Sequence, residues 1–266
     1  MKNTFSKRLG SMLKVDFKRL FLSRSFYIIV AACLLVPILI LVMTTMMDGS
    51  VTVDPNTGKE TVMEGFDNVW QIIGTVSSES ADAGAAMDMS ITSMCNINML
   101  YFAIAALVCI FVADDFRSGY AKNLFTVRAK KTDYVASKTL VLFVGSAFMM
   151  LAFFIGSIVG GAVSGLSFEM VGFGALNLVW CILSKIVLVS VFVPIYLIMS
   201  VVAKQKLWMS ILLSMMVGMF LFMMIPMLTP LNATLGNVLI CAVGGVLFAV
   251  GLGAISNVVL KKTSLV

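Results

Sequence analysis

The chain reads as an all-α integral membrane protein: six transmembrane helices preceded by an amphipathic helix lying in the membrane interface. Three observations predict this. The 266 residues are 60% hydrophobic and only 12% charged, with a mean hydropathy of +1.04, whereas soluble domains run at roughly 45–50% apolar and about 25% charged. The apolar residues are gathered into six runs long enough to cross a bilayer, which takes about 20 residues each. Charge is segregated: seventeen of the nineteen Lys and Arg lie in 2–24, 117–138, 204–206 and 261–262, and nine of the thirteen acids lie in 48–93 and at Glu169. No second composition class occurs, so 1–266 is expected to be one transmembrane domain.

Residues 5–21 place Phe5, Leu9, Met12, Leu13, Phe17, Leu20 and Phe21 on one half of a helical wheel and Lys7, Ser11, Lys14, Lys18 and Arg19 on the other. That layout suits a helix in the interface with its cations toward anionic headgroups. Asp16 breaks the pattern from the apolar side. It calls for a basic partner on a neighbouring segment, or Arg19 three residues on.

The first span is 26–47, kinked at Pro37; the leading polar region is too long for a cleavable signal peptide, so this run is expected to remain as an anchor. Residues 48–93 form a long acidic loop with eight acids against Lys59. Such a loop attracts cationic peptides or metal cations, or is simply the solvated, non-basic side. Within it, 69–73 is read as a short interfacial helix. The second span, 94–113, ends at Asp114 and Asp115. Acids oppose the dipole at a helix C-terminus and favour it at an N-terminus, so the pair is read as capping a short helix over 119–125.

The loop 114–138 carries Arg117, Lys122, Arg128, Lys130, Lys131 and Lys138, which places it in the cytoplasm with both termini. Tyr120, Leu124 and Phe125 are apolar handles on the short helix, either for a soluble partner or as part of a plain connector. The third span, 139–163, continues into Gly156, Gly160, Gly161 and Gly165, whose spacing allows close helix approach, in a dimer seam or within the bundle. The fourth span ends near Ala203. If it begins near Gly172, Lys185 lies within the membrane, where a charge is costly and usually functional. If it begins near Ile186, Lys185 snorkels to the outer interface toward Glu169, and this second register is preferred. The fifth span, 207–227, is rich in methionine, suited to lining a path for varied apolar cargo or to ordinary packing. Asn232-Ala233-Thr234 reads as a turn against the membrane. The sixth span, 235–260, carries Gly245, Ala249 and Gly253 on one face.

Several chemistries are excluded. There is no histidine, hence no Ser/His/Asp triad and no HExxH; the five cysteines are scattered, and no metal site is expected. No GxxxxGK[ST] phosphate loop is present, so ATP is not hydrolysed here by that means. No paired acids lie within the spans as a proton relay requires. The net charge of +6 follows membrane topology, and no nucleic-acid partner is expected.

The layout, and above all FVADDFRSGYAKNLFTVRAKKTDYVASKTLV at 111–141, resembles the permease subunits of type-2 ABC transporters of the exporter class. In that family an acid precedes a Gly-led helix start, then a Lys/Asn-Leu step, a basic turn and an aromatic before Ser-Lys. Here these are Asp115, Gly119, Lys122-Asn123-Leu124, Arg128 to Lys131, Tyr134 and Ser137-Lys138. The family usually has Thr or Ser after the glycine and often Glu at the acid, where this chain has Tyr120 and Asp115. The resemblance implies that 5–21 is the elbow helix and that 118–126 is a coupling helix docking on a separate ABC ATPase through Ser118, Gly119, Tyr120, Lys122, Asn123, Leu124 and Phe125. It implies a second permease chain, identical or paralogous, and ATP with magnesium held by the ATPase and no cofactor by this chain. It also implies a bacterial plasma membrane, and export of peptides as in Gram-positive lantibiotic and bacteriocin immunity. The rival readings are an ATP-independent secondary transporter or channel, with Lys185 as its essential charge, and a membrane scaffold.

Overall fold

The computed structural model describes residues 5–53, 60–62, 65–76, 95–127, 131–203, 206–222 and 224–262. The elements in chain order are helices α1 (Phe5–Leu22) and α2 (Arg24–Met47), strands β1 (Val51–Val53) and β2 (Glu60–Val62), and helices α3 (Leu100–Arg117), α4 (Tyr120–Val127), α5 (Lys131–Ser164), α6 (Ala175–Val202), α7 (Leu207–Phe222), α8 (Met224–Leu228) and α9 (Leu235–Lys262). The architecture is all-α apart from the small antiparallel β1–β2 hairpin.

Five helices are long and apolar enough to cross a membrane: α2, α3 with the short turn before it, α5, α6 and α9. The sixth predicted span is a 16-residue α7 followed by the five-residue α8. At about 1.5 Å per residue α7 alone reaches roughly 24 Å, against a hydrocarbon core of about 30 Å.

Helices α3, α5 and α6 form the interior, and α2, α7 and α9 pack around them. The glycines of α5 explain how α2 sits so close. A Cβ on Gly156 would overlap the Leu34 carbonyl oxygen, and one on Gly160 the Cα of Ile38. These small-residue spacings therefore serve packing inside the bundle. Gly245 of α9 likewise admits the Ser190 hydroxyl of α6. On α7 the inward side is Ser210, Ser214 and Gly218, while Met209, Met215, Met216 and Met219 are exposed. The methionines point away from the interior, toward lipid or another chain.

The short helix expected over 69–73 is present as a 3-10 turn over Val69–Ile72, with Val69, Trp70 and Ile72 buried against the bundle. The turn is held from outside: Val69 N–H donates to the Ser167 carbonyl at 3.1 Å, Trp70 Nε1 to Phe168 O at 3.1 Å and Asn68 Nδ2 to Glu169 O at 2.6 Å. This strap closes the end of the bundle opposite the basic loop. Most of the acidic loop, including Glu79, Asp82 and Asp88, lies outside the described residues. So does the core of the basic turn, 128–130.

Candidate functional site

At the basic end of the bundle four charged side chains from three helices meet, three of them out of solvent and the fourth, Arg19, partly exposed. The elements around them run past the predicted membrane limits: α3 continues to Arg117, and α5 begins at Lys131. These extensions carry Asp115 and Lys138 inward to face α1. Lys138 and the carboxylates of Asp16 and Asp115 are all fully buried. Lys138 Nζ lies 2.8 Å from Asp16 Oδ1 and 2.7 Å from Asp115 Oδ2, and 4.3 Å from the centre of the Phe111 ring.

The remaining oxygens are also used. Ser137 Oγ donates to Asp16 Oδ2 at 2.6 Å, and the Tyr134 hydroxyl to Asp115 Oδ2 at 2.9 Å. Arg19 donates to Asp115 Oδ1 through Nη1 and to Asp114 Oδ2 through Nη2 at 3.3 Å. Burial acts to lower the Arg19 pKa, but the charge of Asp115 and its hydrogen bond outweigh it, so the guanidinium is held more firmly protonated than usual. Farther along α1, Arg8 Nε reaches Asp133 Oδ2 at 2.8 Å in the first turn of α5.

Asp16 thus finds its cation on another segment, as its place on the apolar face of α1 demands. Asp114 and Asp115, however, do not cap the short helix. They lie in the last turn of α3, and Ser118 N–H bonds to the Asp114 carbonyl at 2.9 Å. Acids there oppose the dipole by about 0.3–1 kcal/mol, whereas leaving a buried partner unpaired costs about 3–5 kcal/mol. The ion pairing decides the placement.

Helix α4 hangs from this network. Gly119, at φ +72°, adopts a left-handed conformation that glycine takes without penalty, and its carbonyl accepts from Asn123 N–H at 3.0 Å to start the next helix. Tyr120 turns inward: its ring lies 4.0 Å from the Arg19 guanidinium carbon, and its hydroxyl is 3.4 Å from Asp16 Oδ1. Burial, and then the charges of Asp16 and Asp115, push the Tyr120 hydroxyl up to about 12, so it remains a donor at neutral pH. Leu124 and Phe125 are half-buried against the core, Phe125 with its ring edge-on to Tyr134 at 5.4 Å. The side of α4 facing out carries Lys122, Asn123 and Thr126, with Ser118 exposed just before it.

Lys185 is elsewhere, and the preferred register for it is corrected. Helix α6 begins at Ala175, which sets Lys185 about 15 Å along the helix. It is 1% exposed. Its Nζ donates to Asn98 Oδ1 and Thr229 Oγ1, each at 2.9 Å, and not to Glu169. Among the described residues it forms no ion pair. Two neutral oxygens from the segments before α3 and at the end of α8 hold it. Asn98→Leu is expected to cost about 2–4 kcal/mol of stability in detergent, because the ammonium loses an acceptor it cannot replace. Lys185→Met removes the desolvated charge itself and is expected to cost less. Equal losses for the two variants would refute this account of the cluster.

Residues 12–221 match the family described as ABC-2 family transporter protein, and the chain belongs to that family. It is the membrane permease component of an ABC transporter, a class without an ATPase domain of its own that works with an ABC ATPase. No curated protein and no solved structure matched the chain. The motif residues Asp115, Tyr134, Ser137 and Lys138 meet in one buried network with Asp16, which Ser137 and Lys138 contact directly and Asp115 and Tyr134 join through Lys138; their spacing along the chain does not reveal this meeting.

Proposed function

We propose that α4 is the coupling helix, docking on the ATPase through Ser118, Lys122, Asn123 and Thr126 while Gly119, Tyr120, Leu124 and Phe125 join it to the bundle. The observation that carries this reading is the buried network: a displacement of α4 pulls on Tyr120 and is shared among α1, α3 and α5 through Arg19, Asp16, Asp115 and Lys138. The complex contains two permease chains and two ATPases, with ATP and magnesium in the ATPases and no cofactor in this chain. The basic end and both termini face the cytoplasm of a bacterial cell, as the charge bias favours.

The cargo is an amphipathic molecule, a cationic peptide by class, exported or expelled. The acidic loop 48–93 on the opposite side supports this by attracting cations. The ATP-independent transporter reading anticipates a buried Lys185. The two neutral contacts of that residue give it no relay partner among the described residues, and membership of an ABC family favours the ATP-driven reading.

The test is purification of the tagged protein from its native host in mild detergent. An ATPase is expected to copurify in stoichiometric amount and to be lost from Lys122→Glu/Asn123→Asp, whose side chains lie outside the core, with helical content unchanged. Leu124 and Phe125 are poor probes because both also pack internally. Copurification that the double change leaves intact would overturn the docking surface. Deletion of the protein is expected to raise sensitivity to cationic peptides; unchanged sensitivity would remove the cargo assignment.

A further inference from the structure

We propose that the crevice between α1, α2 and α3 at the basic end is a binding site for an aminophospholipid of the phosphatidylethanolamine type. The cavity measures about 170 Å³ and is lined by Arg19, Ser23, Ser25 and Asp114 on its polar side and by Phe26 and Ile110 among its apolar residues. A single water needs about 10–15 Å³, so the space suits a larger polar group with an apolar continuation. The helices that wall it carry exposed Leu22 (70%) and Ile28 (68%), the kind of surface a bilayer covers. This inference rests on the chain spanning a membrane and not on the docking role of α4.

The polar side selects the headgroup. In the network behind the crevice the charges of Asp16 and Asp115 balance those of Lys138 and Arg19, which leaves Asp114 as the excess negative charge. Its side chain is 67% exposed and holds Arg19 only through the 3.3 Å contact. A primary ammonium there gives Asp114 charge-assisted N–H donors, which a quaternary choline lacks and a glycerol headgroup replaces with neutral hydroxyls. Phosphate oxygens need donors beside it. The Ser23 hydroxyl caps no backbone N–H of α2; Ser25 and Arg19 line the crevice with it. Phe26 and Ile110 receive the start of an acyl chain.

The test is native mass spectrometry and thermal unfolding of the purified permease in mild detergent, titrated with phosphatidylethanolamine, phosphatidylcholine and phosphatidylglycerol of the same acyl chains. Phosphatidylethanolamine is expected to be retained and to raise the unfolding temperature in a saturable way, with the other two weaker by about tenfold, the loss of one charge-assisted contact. Asp114→Asn is expected to abolish that preference. Ser23→Ala/Ser25→Ala, which touches no ion pair, is expected to weaken all three lipids alike, so the site remains testable if the Asp114 variant folds poorly. Equal binding of the three lipids to the native protein, or binding of acyl-free glycerophosphoethanolamine as tight as that of the lipid, would overturn the proposal.

Discussion

Lys138→Met is expected to lower the stability of the purified protein by about 3–5 kcal/mol, among the largest losses any single substitution here should produce. The size follows from what remains: Asp16 and Asp115 stay out of solvent with only Arg19 to offset them. Denaturant or thermal unfolding in mild detergent measures it. The second arm of the experiment separates charge from packing. Adding Asp16→Asn to Lys138→Met removes one uncompensated carboxylate, so the double variant should be more stable than the sum of the two single losses, with a coupling of about 0.5–3 kcal/mol. Strict additivity would mean that Lys138 acts as a space-filling chain and not as the shared cation of two acids.

The same substitution has a functional reading under the coupling proposal. With Lys138 gone, α1 and the ends of α3 and α5 lose their common ion, and α4 is left with the contacts of Tyr120 to Arg19 and Asp16 and its apolar packing. ATP hydrolysis by the partner is then expected to continue while cargo movement falls. Lys138→Arg, which keeps the charge, should retain more transport than Lys138→Met.

What could be read from the sequence followed the demands of the bilayer. A spanning helix needs a long apolar run, so the spans stand out, and the cation bias orients them. Hydropathy marks membrane depth, however, and not where a helix ends. The polar turns Asp114–Arg117 and Lys131–Lys138 therefore read as loop although both are helical. The misplacement of Asp114 and Asp115 as caps came from this. Asp16 was legible as an anomaly because it interrupts an amphipathic face; its partner Lys138, 122 positions away, was not. Lys185 was ambiguous for a related reason. Its partners Asn98 and Thr229 are neutral and lie 87 and 44 positions away, so no charge pattern points to them. Helix α4 posed a third kind of problem. Wheel geometry shows that Tyr120, Leu124 and Phe125 are the apolar residues of a short helix but not whether they face a partner or the chain's own core.

Gly161→Ala and Gly156→Ala should both destabilise the bundle, and their responses to a second change should differ. At each position an added Cβ falls inside contact distance, but the atoms it meets are unlike. At Gly156 it overlaps the Leu34 carbonyl, backbone of α2 that cannot move without shifting the helix. At Gly161 it overlaps the Cγ atoms of Val69, a side chain on the strap turn. Overpacking of this kind costs about 1–3 kcal/mol and more where backbone must give way. Val69→Ala removes both Cγ atoms, and although it sacrifices buried apolar contact it makes room for the new methyl. The Gly161→Ala/Val69→Ala pair is therefore expected to be more stable than the single losses sum to, by about 1–2 kcal/mol. Gly156→Ala should be additive with Val69→Ala, which it does not touch. Rescue at Gly161 and none at Gly156, read from unfolding in detergent, would establish the strap as a separate layer seated on α5 and the α2–α5 seam as a rigid backbone contact. The reverse pattern would mean that the strap is mobile enough to yield by itself and that α2 can slide.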